Sequence, residues 1–188
     1  MSKSRKRMST TLRWGLLAGI TLVLAGSALG LILALRAKPE DTGPNLFIIQ
    51  RSKNTNEVHY DVQVEADGTL AKEPVVAYWV MKAKDGSQED LTFFERKMAY
   101  GFEVLKPNDK GDRELKLVAW EDRKIFLKRV KDSAKWRAVT TVDGKEAYLT
   151  RLFIQTDESG LTPSVKYVDL FGETVEDGDP VKEHIVKD

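Results

Sequence analysis

The sequence contains no cysteine and only two histidines among its 188 residues. Without cysteine the chain has no disulfide, no thiolate nucleophile and no cysteine-ligated metal centre. The two histidines, His59 and His184, stand far apart and outside H-x-x-x-H or H-E-x-x-H spacing, so the sequence predicts no metal site. It also lacks a phosphate-binding glycine loop and a G-x-S-x-G nucleophile turn. We therefore predict no cofactor, and a role other than catalysis is favoured.

Basic and acidic residues nearly balance overall, at a formal net charge of +1, but not along the chain. Residues 1–40 hold seven Lys or Arg and a single acid, which leaves 23 basic and 28 acidic residues in the remainder. A net negative domain does not attract polyanions, so the composition predicts no nucleic-acid partner. A chain of this length with 41% apolar residues fits one folded domain plus a short extra segment.

One long uncharged run lies near the N-terminus, at residues 14–35. A helix of that length rises about 33 Å, enough to cross a bilayer. Five basic residues precede the run within 1–13 and only Arg36 and Lys38 follow closely, so the positive-inside rule places the N-terminus in the cytoplasm. We expect a cytoplasmic tail over 1–13, a single-pass transmembrane helix over 14–35, a linker over 36–45 and an exported domain over 46–188. The expected location is the cell inner membrane, with the C-terminal domain in the periplasm or otherwise outside the cytoplasm.

Two further interpretations concern this run. A cleaved signal peptide with a processing site at 28–30 is the alternative, but the uncharged run continues five residues beyond, which favours a retained anchor. Two G-x-x-x-G pairs lie on one side of the predicted helix: Gly15, Gly19, Gly26 and Gly30. They are candidates for helix dimerisation, and hence for a homodimer, although glycine is also simply frequent in membrane helices.

The remainder of the chain is typical of a β domain. Short runs rich in β-branched and aromatic residues are separated by turn residues, at 46–51, 58–64, 75–81, 102–105, 114–120, 124–130, 136–142, 146–155 and 165–171. Asp143-Gly144 gives the strongest hairpin signal. After the third run, Thr92 and Glu95 have the spacing of a capping box and Gly101 can end a short helix. We expect a mainly β fold of eight to nine antiparallel strands with one inserted short helix, either a barrel or a sandwich.

Several of these segments resemble one known family. Residues 51–61, RSKNTNEVHYD, are similar to an R-S-K-N-x-N-x-V-x-Y-D run found in bacterial proteins grouped as domain of unknown function 4833. The blocks at 74–79, 91–101, 143–155 and 166–172 resemble later parts of that family in the same order. The resemblance covers nearly all of the exported domain and none of the anchor. It implies a bacterial setting, but no reaction, substrate or cofactor.

The segment 51–61 is also unusually dense in hydrogen-bonding side chains. With two residues of the predicted helix it supplies the candidate ligand-binding residues Arg51, Lys53, Asn54, Asn56, Glu95 and Tyr100. Arg51 offers a planar fork for a carboxylate or phosphate, Lys53 a second cation, and the two amides orienting hydrogen bonds. The alternative is a polar loop in which the asparagines bond their own backbone.

Three functions follow from these observations and stay open. The first is a membrane-anchored envelope domain that binds a small anionic ligand or a protein partner. The second is an envelope hydrolase or transferase with an acidic site that includes Glu95 or Asp61. The third is a structural protein that dimerises through its anchor. Seven aromatic residues are candidates to line a ligand cavity, although core packing is their commoner role: Trp79, Trp120, Trp136, Phe93, Phe94, Phe126 and Phe153.

Overall fold

The computed structural model describes residues 43–131, 133–157, 159 and 164–186. The predicted tail, the transmembrane helix with its four glycines, and most of the linker lie outside the described residues, so those assignments stay predictions. Within the described part, no helix has the length and apolar character needed to cross a membrane.

Strands dominate the described part of the chain. They are β1 Asn45–Arg51, β2 Asn54–Val64, β3 Leu70–Val80, β4 Gln88–Asp90, β5 Phe102–Val104, β6 Arg113–Leu117, β7 Trp120–Arg129, β8 Trp136–Val142, β9 Lys145–Asp157, β10 Ser164–Thr174 and β11 Pro180–Val186. Between β4 and β5 lies one helical segment, in which α1, Phe93–Glu95, continues as a π-helical turn over Arg96–Tyr100. All nine predicted runs coincide with strands, and the mainly β fold with one short helix is confirmed. The predicted strand count was too low because β4 consists of three exposed polar residues and the apolar residues of β11 are interrupted by Lys182, Glu183 and His184.

The predicted turn at Asp143-Gly144 joins β8 to β9. The φ angle is 49° at Asp143 and 75° at Gly144, and a type I′ hairpin turn needs both to be positive. Val142 pairs with Lys145 across this turn. The hairpin prediction is therefore confirmed.

The strands form one mixed sheet in the order β4-β3-β2-β1-β9-β8-β7-β6-β5, and β10 joins it between β9 and β11. The beginning of β9 pairs with β8, its residues 151–154 pair with β1, and β10 follows its other edge. The β1–β9 pair is parallel, so the prediction of an antiparallel sheet was wrong at this place. The prediction failed there because near-continuous apolar runs such as LFII are compatible with either strand direction.

The sheet curls into a half-barrel, so strands that lie far apart in the strand order share one core. The Tyr60 ring of β2 stacks on Phe47 of β1 at 4.5 Å and meets Phe102 of β5 edge-on at 5.9 Å. No hydrogen-bonded ladder joins the edge strands β4 and β5 within the described residues. The fold is therefore neither the closed barrel nor the two-sheet sandwich that we expected, because the helical segment occupies the gap between the two edges.

The helical segment begins and ends as its sequence predicts. Thr92 Oγ1 accepts a hydrogen bond from the Glu95 amide at 3.3 Å, and Glu95 Oε2 accepts one from the Thr92 amide at 2.8 Å, which completes the capping box. Gly101 ends the segment in an extended conformation, at φ −69° and ψ 160°. A Cβ atom at this position would lie only 1.7 Å from the Arg96 carbonyl oxygen. Close backbone approach is therefore the reason for glycine here.

We predict that Gly101→Ala destabilises the fold by about 1–3 kcal/mol or more, because the backbone of the π-helical turn must move to admit the new methyl group. The free energy of unfolding from urea denaturation measures this. Gly43→Ala is the matched control, since its Cβ would meet only the Asn45 amide nitrogen at an ordinary 3.9 Å. Equal stability of the two variants would contradict the close approach.

Candidate functional site

A cavity of about 210 Å³ opens on the core side of the sheet. Strands β1, β9, β10 and β11, the β6–β7 turn and the helical segment all contribute walls, which include Ile49, Ala99, Trp120, Leu152, Ile154, Val168 and Ile185. Every lining side chain is apolar or aromatic, so we call this space the apolar cavity. Of the seven candidate aromatic residues, Trp120 lines it, whereas Phe93 and Phe94 are exposed to solvent.

Arg51 lies on β1 beside two residues that line the apolar cavity. It follows Ile49 by two residues on the same face of β1 and pairs in register with Ile154 of β9, and both of these isoleucines line the cavity. Its guanidinium lies near the Tyr100 hydroxyl. Burial raises the pKa of Tyr100, while Arg51 acts in the opposite direction. No carboxylate of the described residues forms an ion pair with Arg51.

Glu95 lies near Tyr100 but is engaged in holding the helical segment. Its Oε1 accepts a hydrogen bond from Trp79 Nε1 at 3.1 Å, and its Oε2 accepts bonds from the Thr92 amide and hydroxyl at 2.8 Å each. Partial burial raises the pKa of Glu95, but the bonds from Thr92 and Trp79 outweigh it and leave the pKa below its ordinary value. A carboxylate held in this way is a weak base, and these contacts do not favour a catalytic role.

Asp61, the other acid of the enzyme hypothesis, is likewise occupied. It accepts hydrogen bonds from Asn45 Nδ2 at 2.9 Å and from the Tyr78 hydroxyl at 2.6 Å. Burial, together with the bond to Asp61, raises the pKa of Tyr78 to about 12. The acid therefore serves to hold β1, β2 and β3 together.

The other candidates of the 51–61 segment lie in and beside the β1–β2 turn. Asn54 Oδ1 accepts a bond from the Asn56 amide at 3.0 Å, which is the Asx turn of the alternative interpretation. Asn56 Oδ1 accepts a bond from the Ala83 amide at 3.0 Å and so ties the turn to the β3–β4 loop. Lys53 lines a separate shallow pocket with Lys166. The structure thus brings Arg51, Tyr100 and Glu95 together and pairs Asn54 with Arg51 across the β1–β2 ladder, while Asn56 and Lys53 make contacts outside this group.

A buried carboxylate on the opposite, outer face of the sheet escaped the sequence analysis. The Glu57 side chain is only 4% exposed and contacts Lys82 Nζ at 2.6 Å, His59 Nε2 at 3.1 Å and the Gln50 amide. Burial raises the pKa of Glu57, but these three partners outweigh it and lower the pKa below its ordinary value. The alternation that predicts β2 puts Glu57 on the solvent side, so nothing in the sequence indicates its burial.

A second carboxylate, Asp169, repeats this arrangement further across the sheet. It contacts His184 Nδ1 at 2.6 Å and Lys182 Nζ at 2.9 Å, and its pKa is lowered because these bonds outweigh its burial. One row of paired residues connects the two sites: Glu57, Gln50, Phe153, Asp169 and His184. The described residues contain no group of three or more potential metal ligands. Both histidines therefore act as partners of buried carboxylates on the outer face.

We predict that Glu57→Gln lowers the free energy of unfolding at pH 7 by about 1–3 kcal/mol, because it removes a charged acceptor from three donors. The folded pKa of Glu57 lies below its ordinary value of 4.5. Its contribution is therefore present above that pH and is lost as the pH falls through the folded pKa. The free energy of unfolding should therefore differ less between wild type and Glu57→Gln at about pH 3.5 than at pH 7. Urea denaturation at both pH values measures this.

The control for this pH dependence is Glu89→Gln. Glu89 pairs with Lys84 at 2.8 Å, but both side chains are about half exposed, so its removal should change the free energy of unfolding by less than about 1 kcal/mol. A pH-independent effect of Glu57→Gln would contradict the assignment of a lowered pKa.

Comparison with known proteins identifies the family but no activity. Domain of unknown function 4833 matches residues 47–184, which span β2 to β10 completely and most of β1 and β11. The search of curated proteins and the search of solved structures found no match. Because the match covers well over half of the chain, this protein belongs to the family of proteins that contain domain of unknown function 4833.

Proposed function

We propose that this protein is a membrane-tethered binding domain for a small amphipathic anion. In this proposal a carboxylate or phosphate head pairs with Arg51 and a short apolar body occupies the apolar cavity. One observation carries the proposal: Arg51, which forms no ion pair with a carboxylate among the described residues, pairs in register with Ile154, a residue that lines an apolar cavity.

Both halves of the ligand follow from the chemistry of the cavity. Apart from the indole N–H of Trp120, its walls offer no hydrogen-bonding side chain, so each buried methylene would contribute about 0.8 kcal/mol of transfer free energy. In this proposal the Arg51 guanidinium and the nearby Tyr100 hydroxyl supply the donors for the head, and a hydrogen bond to a charged group contributes about 1.5–3 kcal/mol. A volume of about 210 Å³ lies below the roughly 300 Å³ at which drug-sized pockets begin. The apolar body is therefore a short chain or a single ring.

The hydrogen bonds of the two candidate acidic residues favour a binding function over an enzymatic one. Glu95 is a hydrogen-bond acceptor for Trp79 and Thr92, and Asp61 is an acceptor for Asn45 and Tyr78. Neither lines the apolar cavity. Among the described residues, nothing that lines this space can act as a nucleophile or a general base.

The tether is the second part of the proposal, and it is supported by the uncharged run at 14–35 with its basic residues on the N-terminal side. The run precedes the first strand by only nine residues. The binding domain would then act at the outer surface of the inner membrane.

We predict that octanoate binds the protein and that Arg51→Ala weakens this binding at least about tenfold, which is the loss of one charge-assisted hydrogen bond. Binding of 1-octanol, which lacks the charge, should change much less. Isothermal titration of both compounds measures the effect. Lys53→Ala is the matched control, because Lys53 is a nearby cation that lines another pocket.

A second variant tests the apolar half. Ala99→Leu adds three carbon atoms to the wall of the cavity and should weaken octanoate and octanol alike. Octanoate binding that is indifferent to both Arg51→Ala and Ala99→Leu would refute the proposed site.

The tether predicts a topology that the cysteine-free chain makes simple to measure. In intact cells, a membrane-impermeant maleimide should label the variant Lys110→Cys, in the β5–β6 loop, and should not label Ser4→Cys in the N-terminal tail. Both variants should react after the membrane is permeabilised, which controls for thiol reactivity. Labelling of neither residue in intact cells would place the domain in the cytoplasm and contradict the proposed tether.

A further inference from the structure

Three large apolar side chains of the helical segment point into solvent. Phe93 is 70% exposed, Phe94 75% and Met98 72%. They form one patch, because the two phenylalanine rings meet edge-on at 5.8 Å and Met98 follows Phe94 by four residues, about one turn. Single exposed apolar residues are ordinary on protein surfaces, but three together on one short segment indicate a contact surface. We call this group the apolar tip.

The apolar tip is held outward by the folded structure. The Thr92–Glu95 capping box and the Trp79–Glu95 bond fix the beginning of the segment, and Arg96 Nε donates to the Leu91 carbonyl at 3.0 Å. At the other end Tyr100 is only 4% exposed, and its carbonyl accepts a bond from Tyr60 at 2.8 Å. With both ends fixed, the segment cannot turn its three apolar side chains into the core.

A cation lies beside the apolar tip. Lys97 Nζ lies 5.6 Å from the centre of the Phe93 ring, which is within cation–π range. Glu95, the acid on the same segment, is turned toward Thr92 and Trp79. Aromatic rings and methionine beside lysine are the chemistry of the membrane interface, where rings enter the headgroup layer and the ammonium stays near lipid phosphates.

The small area of the apolar tip favours a lipid surface over a protein as its partner. A stable protein interface buries about 800 Å² on each partner, far more than three side chains can supply. A lipid surface needs no such area when the domain is already confined beside it. This step rests on the proposed tether: residues 36–42 between the uncharged run and the described domain span at most about 25 Å when extended. Such confinement makes a weak contact effective.

We propose that Phe93, Phe94 and Met98 insert into the interfacial layer of the bilayer that holds the anchor, with Lys97 beside anionic headgroups. The same helical segment lines the apolar cavity through Ala99, and its Tyr100 lies near Arg51. Insertion therefore brings a wall of the proposed binding site to the lipid surface.

The full chain in vesicles of phosphatidylethanolamine and phosphatidylglycerol tests this inference. Met98→Cys provides a single thiol for an environment-sensitive fluorophore, and Lys110→Cys, in a loop of exposed polar residues, is the reference position. We expect blue-shifted emission at position 98 that is quenched by lipids spin-labelled at the headgroup end of the acyl chain, and neither effect at position 110. The added changes Phe93→Ser and Phe94→Ser should lower the ratio of inserted to free tip at least about tenfold, equivalent to about 1.4 kcal/mol.

The outcomes of this experiment distinguish a failure of lipid insertion from a failure of the proposed tether. Suppose that the protein sediments with the vesicles but a water-soluble quencher reaches the labels at positions 98 and 110 equally well. This result overturns insertion and leaves the tether intact. Protein that fails to sediment with vesicles removes the tether and the inference with it. Shielding that grows with protein concentration and ignores the spin-labelled lipids indicates a second copy of the chain, and it also overturns lipid insertion.

Discussion

The packing of Tyr60 is the interaction on which the rest of the structure depends. Its ring lies between Phe47 of β1 and Phe102 of β5, and its hydroxyl donates to the Tyr100 carbonyl at 2.8 Å. Burial raises the pKa of this phenol, so it remains a donor throughout the physiological range. One side chain therefore joins the middle of the sheet to its far edge and holds the helical segment in place. Without it, neither the curl of the sheet nor the position of Ala99 in the cavity wall would be defined.

The two faces of the same strands have separate tasks. The core face holds the aromatic packing and the apolar cavity. The outer face carries two carboxylates, Glu57 and Asp169, each in contact with a lysine and a histidine. Removing a carboxylate from water is unfavourable unless donors replace the water, and these partners supply the donors. The contacts on the outer face therefore fix the register of the strands, whereas the core face shapes the cavity.

The helical segment connects the proposed binding site to the proposed membrane contact. Its buried side supplies Ala99 and Tyr100, and its exposed side supplies Phe93 and Phe94. A capping box at its start and a glycine at its end make this short stretch rigid, although it is too short to be a stable helix by itself. In these proposals one rigid segment contacts both the lipid surface and the apolar cavity, so an amphipathic ligand would pass directly from one to the other.

The sequence by itself determined the strands, the hairpin at Asp143-Gly144, the capping box and the family, because each of these is a local pattern of alternation, turn residues or spacing. The tertiary structure alone decided the parallel β1–β9 pair, the curl of the sheet, the burial of Glu57 and the pairing of Arg51 with a residue that lines a cavity. Those features arise between residues as far apart as β1 and β9, and a local pattern contains no information about which distant strand a side chain will face. Arg51 could be recognised as a candidate from its chemistry, but only the fold showed what surrounds it.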